Sequence, residues 1–67
     1  MIKGIEKLNN EQIELMNRVN ERHTKMVGND YKEDMKITQV WLDENNVVCV
    51  RLKNGNWFHY TSKGEWY

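Results

Sequence analysis

Cysteine occurs once in this chain, at Cys49, and proline does not occur at all. A single cysteine excludes an intrachain disulfide. It also leaves any metal cage to be drawn from Cys49, His23, His59 and scattered carboxylates. Charge of one sign is lacking too: ten Lys plus Arg balance ten Asp plus Glu, for a formal net charge of zero. That balance disfavours strong, sequence-independent nucleic-acid binding, which usually shows as a basic domain, and disfavours an anionic membrane surface as main partner. No apolar run approaches the ~20 residues of a transmembrane span. The opening segment, Met1-Ile2-Lys3-Gly4-Ile5-Glu6-Lys7, has no apolar core of the kind a signal peptide needs. The expectation is a cytoplasmic protein, with which an unpaired thiol is consistent.

Motifs that carry chemistry are missing as well. There is no C-x-x-C, no H-x-x-x-H and no D-x-D-x-D-G loop, so neither zinc nor EF-hand calcium has its spacing. A P-loop and a G-x-G-x-x-G are likewise absent. The expectation is therefore no metal, no cofactor and no small-molecule substrate. Sixty-seven residues make one small domain, 1–67. Chains of this size bury only about 60% of their unfolded surface, and such a core rarely supplies more than about 3–5 kcal/mol. Without a disulfide or a metal, oligomerisation is the remaining device, and zero net charge does little to oppose it.

What is present begins with a helical pattern. At 100° per residue, Leu8, Leu15, Met16, Val19, Met26 and Val27 share a stripe with Gln12 and His23, while Glu11, Glu14, Arg18, Glu21 and Lys25 lie opposite. Glu14 with Arg18 and Glu21 with Lys25 are acid-before-base pairs at i,i+4. Asn9 followed by Gln12 has capping-box spacing, and Gly28 supplies a stop. A helix from near Asn10 to Val27 is predicted, with residues 1–9 frayed or forming a short turn.

From Met35 the period changes to two. Residues 36–42, 47–53 and 57–61 read as strands, rich in Val, Ile, Trp, Phe and Tyr. Asp43-Glu44-Asn45-Asn46 separates the first pair, and Asn54-Gly55, a strong hairpin signal, separates the second. Ser62-Lys63-Gly64 is a further turn, after which Glu65-Trp66-Tyr67 forms either a short fourth strand or a docked terminus. The pattern gives an α+β domain in α-β-β-β order: one amphipathic helix packed on a three-stranded antiparallel meander over residues 36–61.

Two hairpin registers are open. A two-residue type I′ turn sets Leu52 opposite Trp57 and Val50 opposite His59. A three-residue turn with Gly55 in the left-handed bulge position sets Val50 opposite Phe58 and Val48 opposite Tyr60. The bulged register is preferred, because it gathers Val48, Val50, Leu52, Phe58 and Tyr60 on one face, with Val40 and Leu42 joining from the first strand. That face would receive the helix. The other face then carries Ile37, Gln39, Trp41, Val47, Cys49, Arg51, Trp57 and His59. It could be covered by the helix, by Trp66 and Tyr67 folding back, or by a second copy of the chain.

The candidate chemistry divides between His23 and this second face. A histidine at the margin of a helical core usually packs its ring and wets its tip. Cys49 and His59 are the one pair resembling a nucleophile and its base, expected on the same face of neighbouring strands but diagonally placed. Neither an orienting group nor an oxyanion site is evident in the sequence, so no catalytic residue is assigned. Flat aromatics with an arginine around an aliphatic centre have the composition of a protein interface. The expected function is a non-enzymatic protein-interaction module binding a partner protein or a second copy through Ile37, Gln39, Trp41, Cys49, Arg51, Trp57 and His59. The alternative is single-stranded nucleic-acid binding by the same aromatics with Arg51 and Lys53.

The segment Val48-Cys49-Val50-Arg51-Leu52-Lys53-Asn54-Gly55-Asn56-Trp57-Phe58-His59-Tyr60 resembles the central hairpin of the small KTSC domains, with Ile37, Val40 and Asp43 roughly in step upstream. It covers under half the chain, and the rest of that family's pattern has no counterpart after Tyr60. Asn54-Gly55-Asn56-Trp57-Phe58-His59-Tyr60 followed by Gly64 also looks like one repeat of the choline-binding hairpin modules of bacterial surface proteins, which work as tandem arrays. Both likenesses are the shared grammar of an Asn-Gly hairpin with alternating aromatics, and neither is counted as membership of a family. The Lys, Asn and Glu bias without proline resembles a small reading frame of an AT-rich bacterium or its phage.

Overall fold

A computed structural model describes residues 2–67, with Asn29 described by its backbone alone. A short 3-10 turn at Ile5–Lys7 leads into helix α1, Asn10–Val27. A second turn, Asn29–Tyr31, connects to strands β1 (Ile37–Leu42), β2 (Val48–Leu52) and β3 (Trp57–Tyr60). The strands form one antiparallel sheet in the order β1-β2-β3, an α+β fold in which the helix covers one face of a meander.

The helix boundaries follow from local chemistry. The Asn9 side chain accepts from the Gln12 N–H, and the Gln12 side chain accepts from the Asn9 N–H, both at 2.8 Å. Two N–H groups that the first turn leaves without partners are thereby satisfied. Gly28 ends the helix at φ 104°, a conformation that disfavours any side chain, while its N–H closes the last turn on the Thr24 carbonyl.

The hairpin adopts the bulged register. Val50 faces Phe58 and Val48 faces Tyr60, with Gly55 at φ 92° after a turn closed from the Gly55 N–H to the Leu52 carbonyl. Val40, Val48, Val50, Leu52 and Tyr60 then meet Leu8, Met16, Val19 and Met35 in a single core, flanked by Ile5, Ile13, Leu15, Leu42 and Phe58. Three residues depart from the expected pattern. Met26 and Val27, in the last turn of α1, are exposed. Ile37 does not belong to the second sheet face: a bulge at Thr38 pairs Ile37 with Leu52 and packs it against the core. The Thr38 hydroxyl fixes that bulge by donating to the Arg51 carbonyl at 3.2 Å.

Segments at both ends complete the sheet. Lys3 bridges Gln39 in parallel: its N–H bonds the Thr38 carbonyl at 3.1 Å, and its carbonyl receives the Val40 N–H at 2.8 Å. Gly4, at φ 89°, lies so close to β1 that a Cβ there would collide with the Val40 carbonyl. At the far edge Trp66 bridges Tyr60, and His59 and Tyr67 exchange both backbone hydrogen bonds. The C-terminal segment thus pairs with β3 as one antiparallel bridge. Its side chains alternate, Trp66 toward the helix and Tyr67 toward the opposite face.

Candidate functional site

His23 is buried more deeply than a margin position predicts. At 4% exposure its tip is not wet. The ring stacks on Trp66 at 4.6 Å, meets the edge of Phe58 at 4.6 Å, and places Nδ1 3.1 Å from the Tyr60 hydroxyl. Asn20 joins the group, its Nδ2 donating to Tyr60 Oη at 3.1 Å and to the Met35 carbonyl at 2.9 Å. Burial lowers the His23 pKa and raises that of Tyr60, so both groups are held neutral. Among the described residues no buried side-chain nitrogen or oxygen lacks a partner. This cluster is a satisfied polar knot in the core.

The opposite face has a different character. Gln39, Trp41, Cys49, Arg51, Trp57 and His59 share it, and α1 packs on the other side. Four rings run across it in sequence. Trp41 and Trp57 lie 5.8 Å apart, Trp57 and His59 5.1 Å, and His59 stacks on Tyr67 at 4.4 Å with 5° between the planes. Trp57 remains 49% exposed and Tyr67 65%. Of the three covers that the sequence leaves open, α1 takes the other face, and of the two terminal aromatics only Tyr67 reaches this one. Tyr67 extends the row without hiding it.

The cations on this face are partly committed. Arg51 Nη1 donates to the Gly55 carbonyl at 3.2 Å, and Lys53 pairs with Glu33 at 3.0 Å. Glu33 also meets Lys36 at 3.1 Å, and these two hydrogen-bonded ammonium groups hold its carboxyl below the usual range.

Cys49 and His59 stand directly opposite each other, correcting the diagonal placement expected from the sequence. His59 spends its own N–H and carbonyl on Tyr67, so Cys49 and His59 form a non-hydrogen-bonded pair, the kind in which side chains approach closest. Asp43, just past the end of β1, joins them. Its Oδ1 accepts the N–H groups of Asn45 at 2.8 Å and Val47 at 2.9 Å, which locks the β1–β2 turn, while Oδ2 lies 3.8 Å from His59 Nε2. The donor atoms of Asp43, Cys49 and His59 all lie within 4.8 Å of one another. Cys49 is 1% exposed, and its Sγ–H leans on the Val47 carbonyl at 3.6 Å. Burial, with the Asp43 charge adding, pushes the thiol pKa up, away from the thiolate a nucleophile requires.

Asp43 is the member of this face that sequence reasoning missed, and Tyr67 is offered by the sequence only as part of a terminus folding back to cover it. Asp43 stands two residues after Trp41 and so keeps its parity, but it reads as turn filler in Asp43-Glu44-Asn45-Asn46. Tyr67 becomes a member only once the terminus pairs with β3.

No family model, no curated protein and no solved structure matches the chain. Among the described residues no helix is long and apolar enough to cross a membrane.

Proposed function

We propose that this chain is a small non-enzymatic protein-interaction module that binds through the sheet face opposite α1, with a second copy of itself as first partner. The observation that carries the reading is the ring row Trp41–Trp57–His59–Tyr67, which no other element among the described residues covers. Such a row suits an interface because flat aromatic side chains supply large contact area and lose little freedom on binding. A standard interface buries about 800 Å² per partner, roughly one sixth of the 4898 Å² this chain exposes. Only a whole face can provide that, and this is the face without a covering layer.

Zero net charge sets no electrostatic barrier between copies. The raised thiol pKa of Cys49 supports a non-enzymatic role. Commitment of Lys53 to Glu33 and of Arg51 to Gly55 weighs against the face serving nucleic acid, which would draw on free cations. Sedimentation velocity at increasing concentration tests self-association. The expected result is a dimer at high micromolar concentration that Trp57→Ala abolishes. A strict monomer throughout, identical in Trp57→Ala, removes self-association.

A further inference from the structure

We propose that Asp43, Cys49 and His59 form a binding site for a divalent transition-metal ion, zinc by the chemistry of its donors. One thiol, one imidazole and one carboxylate come from the three strand regions of the meander and converge with all donor atoms within 4.8 Å. Around tetrahedral zinc, with bonds of about 2.0–2.3 Å, neighbouring donors stand about 3.4–3.6 Å apart. The 3.8 Å between Asp43 Oδ2 and His59 Nε2 is close to that separation, and the longest separation in the set, within 4.8 Å, needs about 1.2–1.4 Å of contraction at most to close on an ion.

The two oxygens of Asp43 divide their work. Oδ1 is spent on the Asn45 and Val47 N–H groups, an outer hydrogen-bonding shell that fixes the carboxylate, and Oδ2 is left facing the histidine. His59 is likewise oriented before any ion arrives, its ring held flat against Tyr67. Cys49 contributes the soft donor from beneath, in the closest kind of cross-strand pair with His59.

The mixed sulfur, nitrogen and oxygen set selects a borderline-soft ion over calcium or magnesium, which prefer oxygen alone. Three protein donors leave a fourth position, and the side chains of Asp43 and His59, each about one quarter exposed, leave it an approach from solvent. Binding forms the sulfur–metal bond, and the thiol proton passes to the buffer. One proton is therefore released per ion from Cys49.

Cobalt(II) titration of the purified full chain tests the site, because cobalt reports both thiolate ligation and tetrahedral geometry in its absorption. The expected result is saturable binding of one ion per chain, with a near-ultraviolet sulfur-to-cobalt charge-transfer band, strong visible bands and displacement by zinc. Cys49→Ser should lose the charge-transfer band, and Asp43→Asn and His59→Gln should each weaken binding by about tenfold or more, while far-ultraviolet circular dichroism stays that of the parent. Absence of the charge-transfer band at excess cobalt in the folded parent chain overturns the proposal. Its persistence in Cys49→Ser does the same. The cobalt stoichiometry should be the same at low and at high micromolar protein concentration, so this result stands apart from the self-association test.

Discussion

Acid is expected to destabilise this fold through one side chain, His23. The ring is enclosed by Trp66, Phe58 and Tyr60, and desolvation holds its pKa below 6.5. In the unfolded chain the imidazole returns to about 6.5, so below that pH the unfolded state takes up a proton that the folded state refuses. Stability is therefore complete above about pH 6.5 and falls as pH drops from there to the folded-state pKa, where the loss levels off. One proton can give a slope of at most about 1.4 kcal/mol per pH unit. Set against the about 3–5 kcal/mol that a core of this length supplies, one pH unit removes at most about a third of the stability. With a urea m-value of about 1 kcal/mol per molar, at the low end for small proteins, the midpoint drops by up to about 1.4 M per unit. Urea unfolding followed by tryptophan fluorescence, in half-unit steps between about pH 8 and pH 5, reads this directly. His23→Gln keeps a hydrogen-bonding partner for Tyr60 but cannot titrate, and its midpoint should be flatter over the same interval. Parallel curves for the two proteins would refute the reasoning. So would a His23 ring-proton NMR titration centred at or above pH 6.5.

Two further substitutions test how the elements are tied together. Gly4→Ala forces a side chain into the Val40 carbonyl at a backbone angle that disfavours it, so it should cost more than about 1 kcal/mol; hydrogen exchange at the Val40 amide, which bonds the Lys3 carbonyl, should accelerate. Asn9→Ala removes the acceptor of the capping box and should cost about 1 kcal/mol in urea unfolding, with no change at the sheet amides. An Asn9→Ala protein as stable as the parent would mean that tertiary packing alone holds the first turn of α1.

Periodicity and turn chemistry made most of this fold legible from residues alone. Asn9, Gln12 and Gly28 mark the limits of α1, and their caps act over three or four residues, so no distant contact is needed to see them. Asn54-Gly55 marks the hairpin by the same local logic but leaves two registers open, and the alternation of Val48, Val50, Phe58 and Tyr60 favours the bulged one that forms. Parity fails where the ladder is irregular. Thr38 bulges, and Ile37 turns from the aromatic face to the core for a reason that lies in β2, in the Arg51 carbonyl that accepts the Thr38 hydroxyl.

Distance in sequence hid the remainder. The burial of His23 depends on Trp66, 43 positions later, closing over it from the sheet's C-terminal extension. The candidate metal cluster gathers residues 43, 49 and 59, whose spacing matches no ligand motif because the sheet's registers, and no local turn, bring them together. Of the aromatic face, Trp41, Trp57 and His59 were readable by alternation, whereas Tyr67 required a strand pairing that only two residues beyond Glu65 provide.

The bridges at Lys3 and Trp66 occupy the two outermost ladder positions of the sheet. An open sheet edge is an invitation to add a strand from another molecule, the first step of uncontrolled fibre growth. Here each edge is closed by only a few residues, held by two backbone bonds beside β1 and three beside β3. Such short clasps are the cheapest parts of the structure to open. Clipping or fraying at either extremity would therefore bare a strand edge and strip packing that Ile2 or Trp66 gives the core, opening the molecule to edge-to-edge polymerisation.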